Sequence, residues 1–145
     1  MNGDDVDIDV FLQRPLMARI ATNGPTLRAV WYIFEDGVFW WLTNTETVLS
    51  KAIAGGEPLV VVVDVCDIAT GEVVYVRARG RAELLVVDRE RALRKFARYL
   101  GPQQTEWDPR FVMSLDDPTA RMARMSPTSI EAGDLSFVVD DRSAL

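Results

Sequence analysis

The chain has 145 residues, 48% of them hydrophobic and 26% charged. That balance fits one folded domain over residues 1–145, with a core that needs neither disulfide nor metal, and it excludes wholesale disorder. The net charge of -6 argues against nonspecific nucleic-acid binding while leaving room for a small phosphorylated ligand in a local basic pocket; the absence of histidine excludes imidazole bases, Ser/His/Asp and Cys/His triads and most zinc sites.

The acidic start, "NGDDVDID", lacks the basic-then-apolar layout of a secretory signal, and apolar runs such as 59–63 are far too short to cross a bilayer. Cytoplasmic residence without a membrane partner is therefore expected. Val6, Ile8, Val10, Phe11 and Leu12 recur near a helical period and Pro15 ends the segment, which predicts a short N-terminal helix. "LMARIAT" (16–22) alternates as a strand, "NGP" turns the chain, and "TLRAVWYIF" (26–34) predicts a second strand. Asp36-Gly37, between two aromatic and β-branched runs, predicts a hairpin into "VFWWLT" (38–43).

"ETVLSKAIA" has Val48, Ala52 and Ile53 at helical spacing and closes on Gly55-Gly56. "PLVVVVDVCD" reads as a fully buried strand because its valines leave no polar face, and Cys66 near its end is expected to be a small buried hydrophobe. "VVYVRARGRAELLVV" (73–87) is the longest strand candidate, with a bulge or bend expected at Gly80. "DRERALRKFARYLG" predicts an amphipathic helix from an N-cap at Asp88 to Gly101, its arginines and lysine on the solvated face. "PQQTEWDPRF" leads into a short helical stretch, and "ARMSPTSIEAGDLSFVV" is a last strand region interrupted at Pro127. Together these elements describe a mostly antiparallel barrel with helices packed outside.

Thr43 falls at a strand end and Ser50-Lys51 in the helix that follows, so the three can face one point. A phosphate there would receive hydroxyl bonds, a lysine charge and the partial charge of the helix start. In the competing reading Thr45 or Thr47 caps the helix and Lys51 points at water. Trp40 and Trp41 are consecutive and must face opposite sides of a strand, which puts one of them outside the core as a ligand wall or subunit interface. Tyr75, Arg77, Arg79 and Arg81 alternate onto one face, suited to a carboxylate or phosphate, or to pairing with the acidic surface. No residue stands out as a catalytic acid or base.

In order and spacing, "LMARIAT", "NGPTLRAVWYIFEDGVFWWLT", "SKAIAGGEPLVVVVDV" and "VVYVRARGRAELL" resemble the flavin-binding split-barrel family over roughly residues 8–100. This is the group around pyridoxamine 5'-phosphate oxidase, which includes the deazaflavin (coenzyme F-420) dependent reductases. The resemblance implies a mainly β split antiparallel barrel with flanking helices, assembled as a homodimer with two sites in the interface. It maps Thr43, Ser50 and Lys51 onto contacts to the ribityl phosphate of FMN, and Arg28, Val30 and Trp31 of "PTLRAVW" onto the ring side. Trp107, or the strand carrying Arg77, Arg79 and Arg81, would serve the partner's cofactor.

The activity implied is that of an FMN-binding oxidoreductase passing a hydride between flavin and a small-molecule acceptor, and the lack of histidine is compatible because the cofactor carries the hard chemistry. A deazaflavin reductase on the same fold is the alternative, and a non-enzymatic ligand-binding or redox-sensing module is the alternative from another class. The substrate-binding C-terminal segment of the pyridoxamine phosphate oxidases is not reproduced, so that reaction is not implied.

Overall fold

Among residues 6–139, which the computed structural model describes, nine strands form two antiparallel sheets. The first runs in the order β2 (Leu27–Trp31), β1 (Met17–Thr22), β5 (Leu59–Asp67), β6 (Glu72–Gly80), β9 (Ser129–Asp134). The second runs β3 (Ile33–Glu35), β4 (Val38–Asn44), β8 (Ala120–Met125), β7 (Ala82–Leu85). The expected hairpin joins β3 to β4 through Asp36 and Gly37, with φ of 57° and 75°. Both are positive, as the tightest hairpin turn requires.

Three stretches expected as single strand regions change sheets midway. The 26–34 segment breaks at Tyr32 into β2 and β3, the 73–87 segment at Gly80 and Arg81 into β6 and β7, and the last at 126–128 into β8 and β9. A strand that bends sharply can satisfy partners in both of two packed sheets, and these bends are the corners of the fold. The expected bend at Gly80 is therefore a change of sheet.

Two corners touch there. A Cβ on Gly80 would sit 2.9 Å from the Ser126 carbonyl oxygen and 3.4 Å from Pro127 Cα. Gly80→Ala is expected to cost about 1–3 kcal/mol by pushing these corners apart, read as a lowered midpoint in urea; an unchanged midpoint would show that the contact is slack.

Four helices flank the sheets. In α1 (Ile8–Leu12) the Asp7 carboxylate accepts from the Val10 amide at 3.1 Å, and Phe11 and Leu12 are buried. Thr47 caps α2 (Val48–Ala54) and Asp88 caps α3 (Arg89–Leu100), each accepting from the amide three residues on. Gly101 closes α3 at φ 100°, and α4 (Arg110–Met113) follows a single 3-10 turn. No helix of the described residues is long and apolar enough to cross a membrane.

The packing overturns four expectations, each for one reason: the four-stranded sheet is covered on both faces and the five-stranded sheet on one. One cluster, with Ile20, Phe39, Trp41, Val61, Val76 and Met125, fills the space shared by the sheets. A second, with Val38, Trp40, Phe96, Trp107 and Met122, lies under α3. Trp40 and Trp41 do face opposite sides, yet both are buried, at 9% and 1% exposure. The β5 strand is not buried on both faces: Leu59, Val61 and Val63 point into the core, Val60 and Val62 are half-exposed, and Asp64 is exposed. Cys66 follows the same outward alternation and is exposed. The charges of α3 do not all face solvent either, because Lys95 is buried and Arg98 turns inward to three backbone carbonyls.

Candidate functional site

Where β4 ends, the chain must turn into α2 within three residues, and short polar side chains organise that turn. Asn44 Oδ1 accepts from the Glu46 amide at 2.9 Å, and the Thr45 amide donates to the Thr119 carbonyl at 3.0 Å. The turn brings Thr43 and Ser50 together, their hydroxyl oxygens 2.8 Å apart. Thr47 completes the group, 2.8 Å from Ser50 and 3.2 Å from Thr43. Thr47 thus caps the helix and joins the cluster, so the capping role and the shared focus of Thr43 and Ser50 coexist.

Ser50 is only 1% exposed, and it lies behind the half-buried Thr43 and Thr47. Its hydroxyl fixes theirs. Each hydroxyl carries one proton, and Thr43 can turn its O–H outward toward an anion while still accepting from Ser50. Lys51, the next residue, is exposed and has no ion pair among the described residues.

A second cation stands beside the cluster, and sequence reasoning missed it. The β4 to β8 register sets Arg121 directly opposite Thr43, where cross-strand side chains are neighbours. Arg121 is half-buried, and its Nη1 donates to the carbonyls of Pro118 at 3.1 Å and Ala120 at 2.7 Å. No carboxylate pairs with it among the described residues, and its Nε and Nη2 keep their donors. The "RMARM" stretch holds an arginine at the right alternation, but nothing local says which strand it pairs with.

The three ring-side candidates do not converge on one face. Arg28 lies opposite Ile20 and Val30 opposite Ala18, whereas Trp31 lies opposite Met17 and so points to the other side of β2. Arg28 is exposed on this edge strand, and Val30 packs against the main core. The Trp31 ring stacks on Tyr99 at 4.6 Å and on Phe111 at 5.5 Å. That aromatic stack anchors β2 to α3 and α4.

Trp107 is not free to reach a partner's cofactor: it is buried under α3, and its indole N–H donates to the Gly101 carbonyl at 2.8 Å. The arginine ladder is also divided. Tyr75, Arg77 and Arg79 alternate along the outer side of β6, but Arg77 is held by Glu131 at 2.6 Å. Arg81 lies beyond the Gly80 corner, its Nε donating to the Gly56 carbonyl at 2.8 Å.

No family model and no curated protein matches this sequence. Solved structures do match in fold. The conserved hypothetical protein Rv2991 from Mycobacterium tuberculosis superposes with a TM-score of 0.75 at 18% identity, over 97% of this chain and 94% of that one. An F420 reductase matches with a TM-score of 0.62 at 20% identity, over 84% of this chain and 94% of that one. The flavocytochrome Anf3 from Azotobacter vinelandii matches with a TM-score of 0.65 at 16% identity, over 94% of this chain and 70% of that one. The resemblance seen in the sequence therefore holds at the level of the fold, and the chain has the fold of the flavin-binding split-barrel proteins.

Proposed function

We propose that this chain binds FMN and, as a homodimer, passes a hydride between the flavin and a small-molecule acceptor. The observation that carries the reading is the hydroxyl cluster of Thr43, Thr47 and Ser50 with Arg121 opposite Thr43 on the neighbouring strand; Lys51 follows Ser50 on the helix, and neither cation is in an ion pair among the described residues. This donor set fits a phosphate monoester: Thr43 offers a hydroxyl, Ser50 holds it in place, and Lys51 and Arg121 supply charge. Arg28 and Val30, on the open edge strand β2, would flank the ring. The bound flavin supplies the hydride chemistry, so the protein needs no acid or base of its own beyond positioning and charge.

The homodimer has support in the outer face of the five-stranded sheet, which, among the described residues, α3 and α4 cover only at the Trp31 end of β2. Met17 is exposed there and Val62 and Tyr75 are half-exposed, beside the ion pairs of Arg19 with Asp64 and Arg77 with Glu131. A mixed face of this kind suits a polar-rimmed interface. Sedimentation at micromolar concentration should find a dimer, and a monomer would contradict the assembly.

The test of the site is a visible absorption titration of the purified protein with FMN and, separately, with the deazaflavin coenzyme. Saturable FMN binding is expected, and Lys51→Ala should weaken it by about 1.5 to 3 kcal/mol through loss of a charge-assisted contact. Unchanged affinity in that variant would remove Lys51 from the site. The likeness to an F420 reductase over 84% of this chain is what favours the deazaflavin coenzyme as the second reading, and selective binding of that coenzyme would establish it. If neither binds, the reading passes to a non-enzymatic module with a non-flavin ligand or a protein partner.

A further inference from the structure

Most arginines among the described residues of this acidic chain sit against a carboxylate. Arg14 pairs with Glu72, Arg77 with Glu131, Arg89 with Asp116, Arg94 with Glu35 and Arg124 with Glu83. With 22 acids against 16 bases, that pairing is what the surface should reach by default. Arg79 and Arg81 depart from it together. Neither has an acid partner among the described residues, and both line one cleft of about 550 Å³ at the Gly80 corner. A volume of this size falls within the roughly 300–1,000 Å³ typical of small-ligand sites.

The corner builds the cleft and aims its charges. The amide and the hydroxyl of Thr128 both donate to the Arg79 carbonyl, at 2.8 and 3.1 Å, which fixes the backbone from which that guanidinium projects. The Nε bond from Arg81 to the Gly56 carbonyl orients the second guanidinium and leaves both its terminal nitrogens without a partner among the described residues. Ala21 and Val60 give the cleft an apolar part, Asn23 and Ser126 add polar groups, and among the described residues no Asp or Glu lines it. Two permanent positive charges flank one glycine and line the same cleft, a setting that favours an anion between them.

We infer that this cleft is an oxyanion site, separate from the Thr43 cluster, which takes the phosphate or carboxylate end of a small ligand between Arg79 and Arg81 and packs a short apolar body on Ala21 and Val60. None of Thr43, Ser50 or Lys51 lines it. The site does not depend on the Thr43 cluster, because its donors and its apolar floor come from a different corner of the fold.

The experiment is a calorimetric titration of the full chain at low salt with two probes, inorganic pyrophosphate and glutarate. Binding of either is expected, with pyrophosphate favoured if the natural ligand is a phosphate ester and glutarate if it is a carboxylic acid. Arg79→Gln is exposed and holds no side-chain bond, so it leaves the fold intact and should weaken binding about tenfold. The double variant with Arg81→Gln should weaken it further, with its melting curve recorded alongside. Lys51→Ala should remove only pyrophosphate held at the Thr43 cluster and leave in place the binding that Arg79→Gln loses. Absence of binding of either probe at millimolar concentration overturns the proposal. So does the reverse pattern, in which Lys51→Ala abolishes binding and Arg79→Gln does not, since the anion would then belong to the Thr43 cluster.

Discussion

Replacing Lys95 with methionine should stabilise the protein at neutral pH by about 2 to 4 kcal/mol and remove a pH dependence that the native chain shows. Lys95 lies on the buried side of α3 with Ala92 and Phe96, at 5% exposure, its amine 5.1 Å from the centre of the Phe96 ring. No carboxylate pairs with it among the described residues. Burial alone pulls its pKa down from 10.5 to about 7, so near pH 7 the folded chain holds it half neutral while the unfolded chain keeps it charged.

The sign follows from proton counting. Between about pH 7 and pH 10.5 the unfolded state binds the extra proton, so stability rises with pH across that window, and below the window the full penalty of the buried amine persists. Burial also pushes the Tyr32 hydroxyl up to about 12 and raises that of Tyr99, so neither residue disturbs a measurement confined below about pH 9. Urea unfolding at about pH 7 and about pH 9 should show the native chain gaining stability and Lys95→Met gaining almost none. Equal slopes in the two proteins would mean that the amine reaches water in the folded state.

The second large effect is a loss. Arg98→Ala is expected to cost about 2 to 4 kcal/mol, because three carbonyls forfeit a charged donor. At Tyr32 the chain leaves one sheet for the other, and its peptide groups have no ladder partner. The last turns of α3 supply what the sheets cannot. Arg98 donates to the carbonyls of Tyr32 at 3.2 Å, Leu12 at 3.2 Å and Arg14 at 2.7 Å, while Tyr99 Oη accepts from the Tyr32 amide at 3.2 Å and donates to the Leu16 carbonyl at 2.6 Å. Arg98→Lys should recover only part of the stability, since a point charge cannot span three acceptors that a planar fork reaches. Full recovery by lysine would show that charge, not the forked geometry, holds the corner.

What was legible in the sequence was local. Asp36-Gly37 announces its hairpin, and Thr47 and Asp88 announce their helices, because a turn or a cap is decided by residues within a few positions of one another. Thr43 and Ser50 met as expected for the same reason: a strand end and the helix after it leave little freedom. The breaks at Gly80 and Pro127 were legible from a glycine and a proline, but not that the chain changes sheet there, and at Tyr32 the strand pattern runs on unbroken through the corner. Nor was the docking of α3, which buries Trp40 and Lys95 against ordinary expectation for their surroundings in sequence. Arg121 joined the site through a pairing between strands nearly eighty residues apart, a fact that no short window contains.

The stack at the β2 edge gives the molecule an optical consequence. Trp40, Trp41 and Trp107 are buried, whereas Trp31 keeps partial contact with water while its indole overlaps Tyr99 and Phe111. A soluble quencher such as acrylamide therefore meets chiefly one of the four indoles, and that one shares a strand with Arg28 and Val30. Whatever settles on this strand will dim or shield a single emitter, so the native chain already carries its own fluorescent reporter for the edge it leaves open.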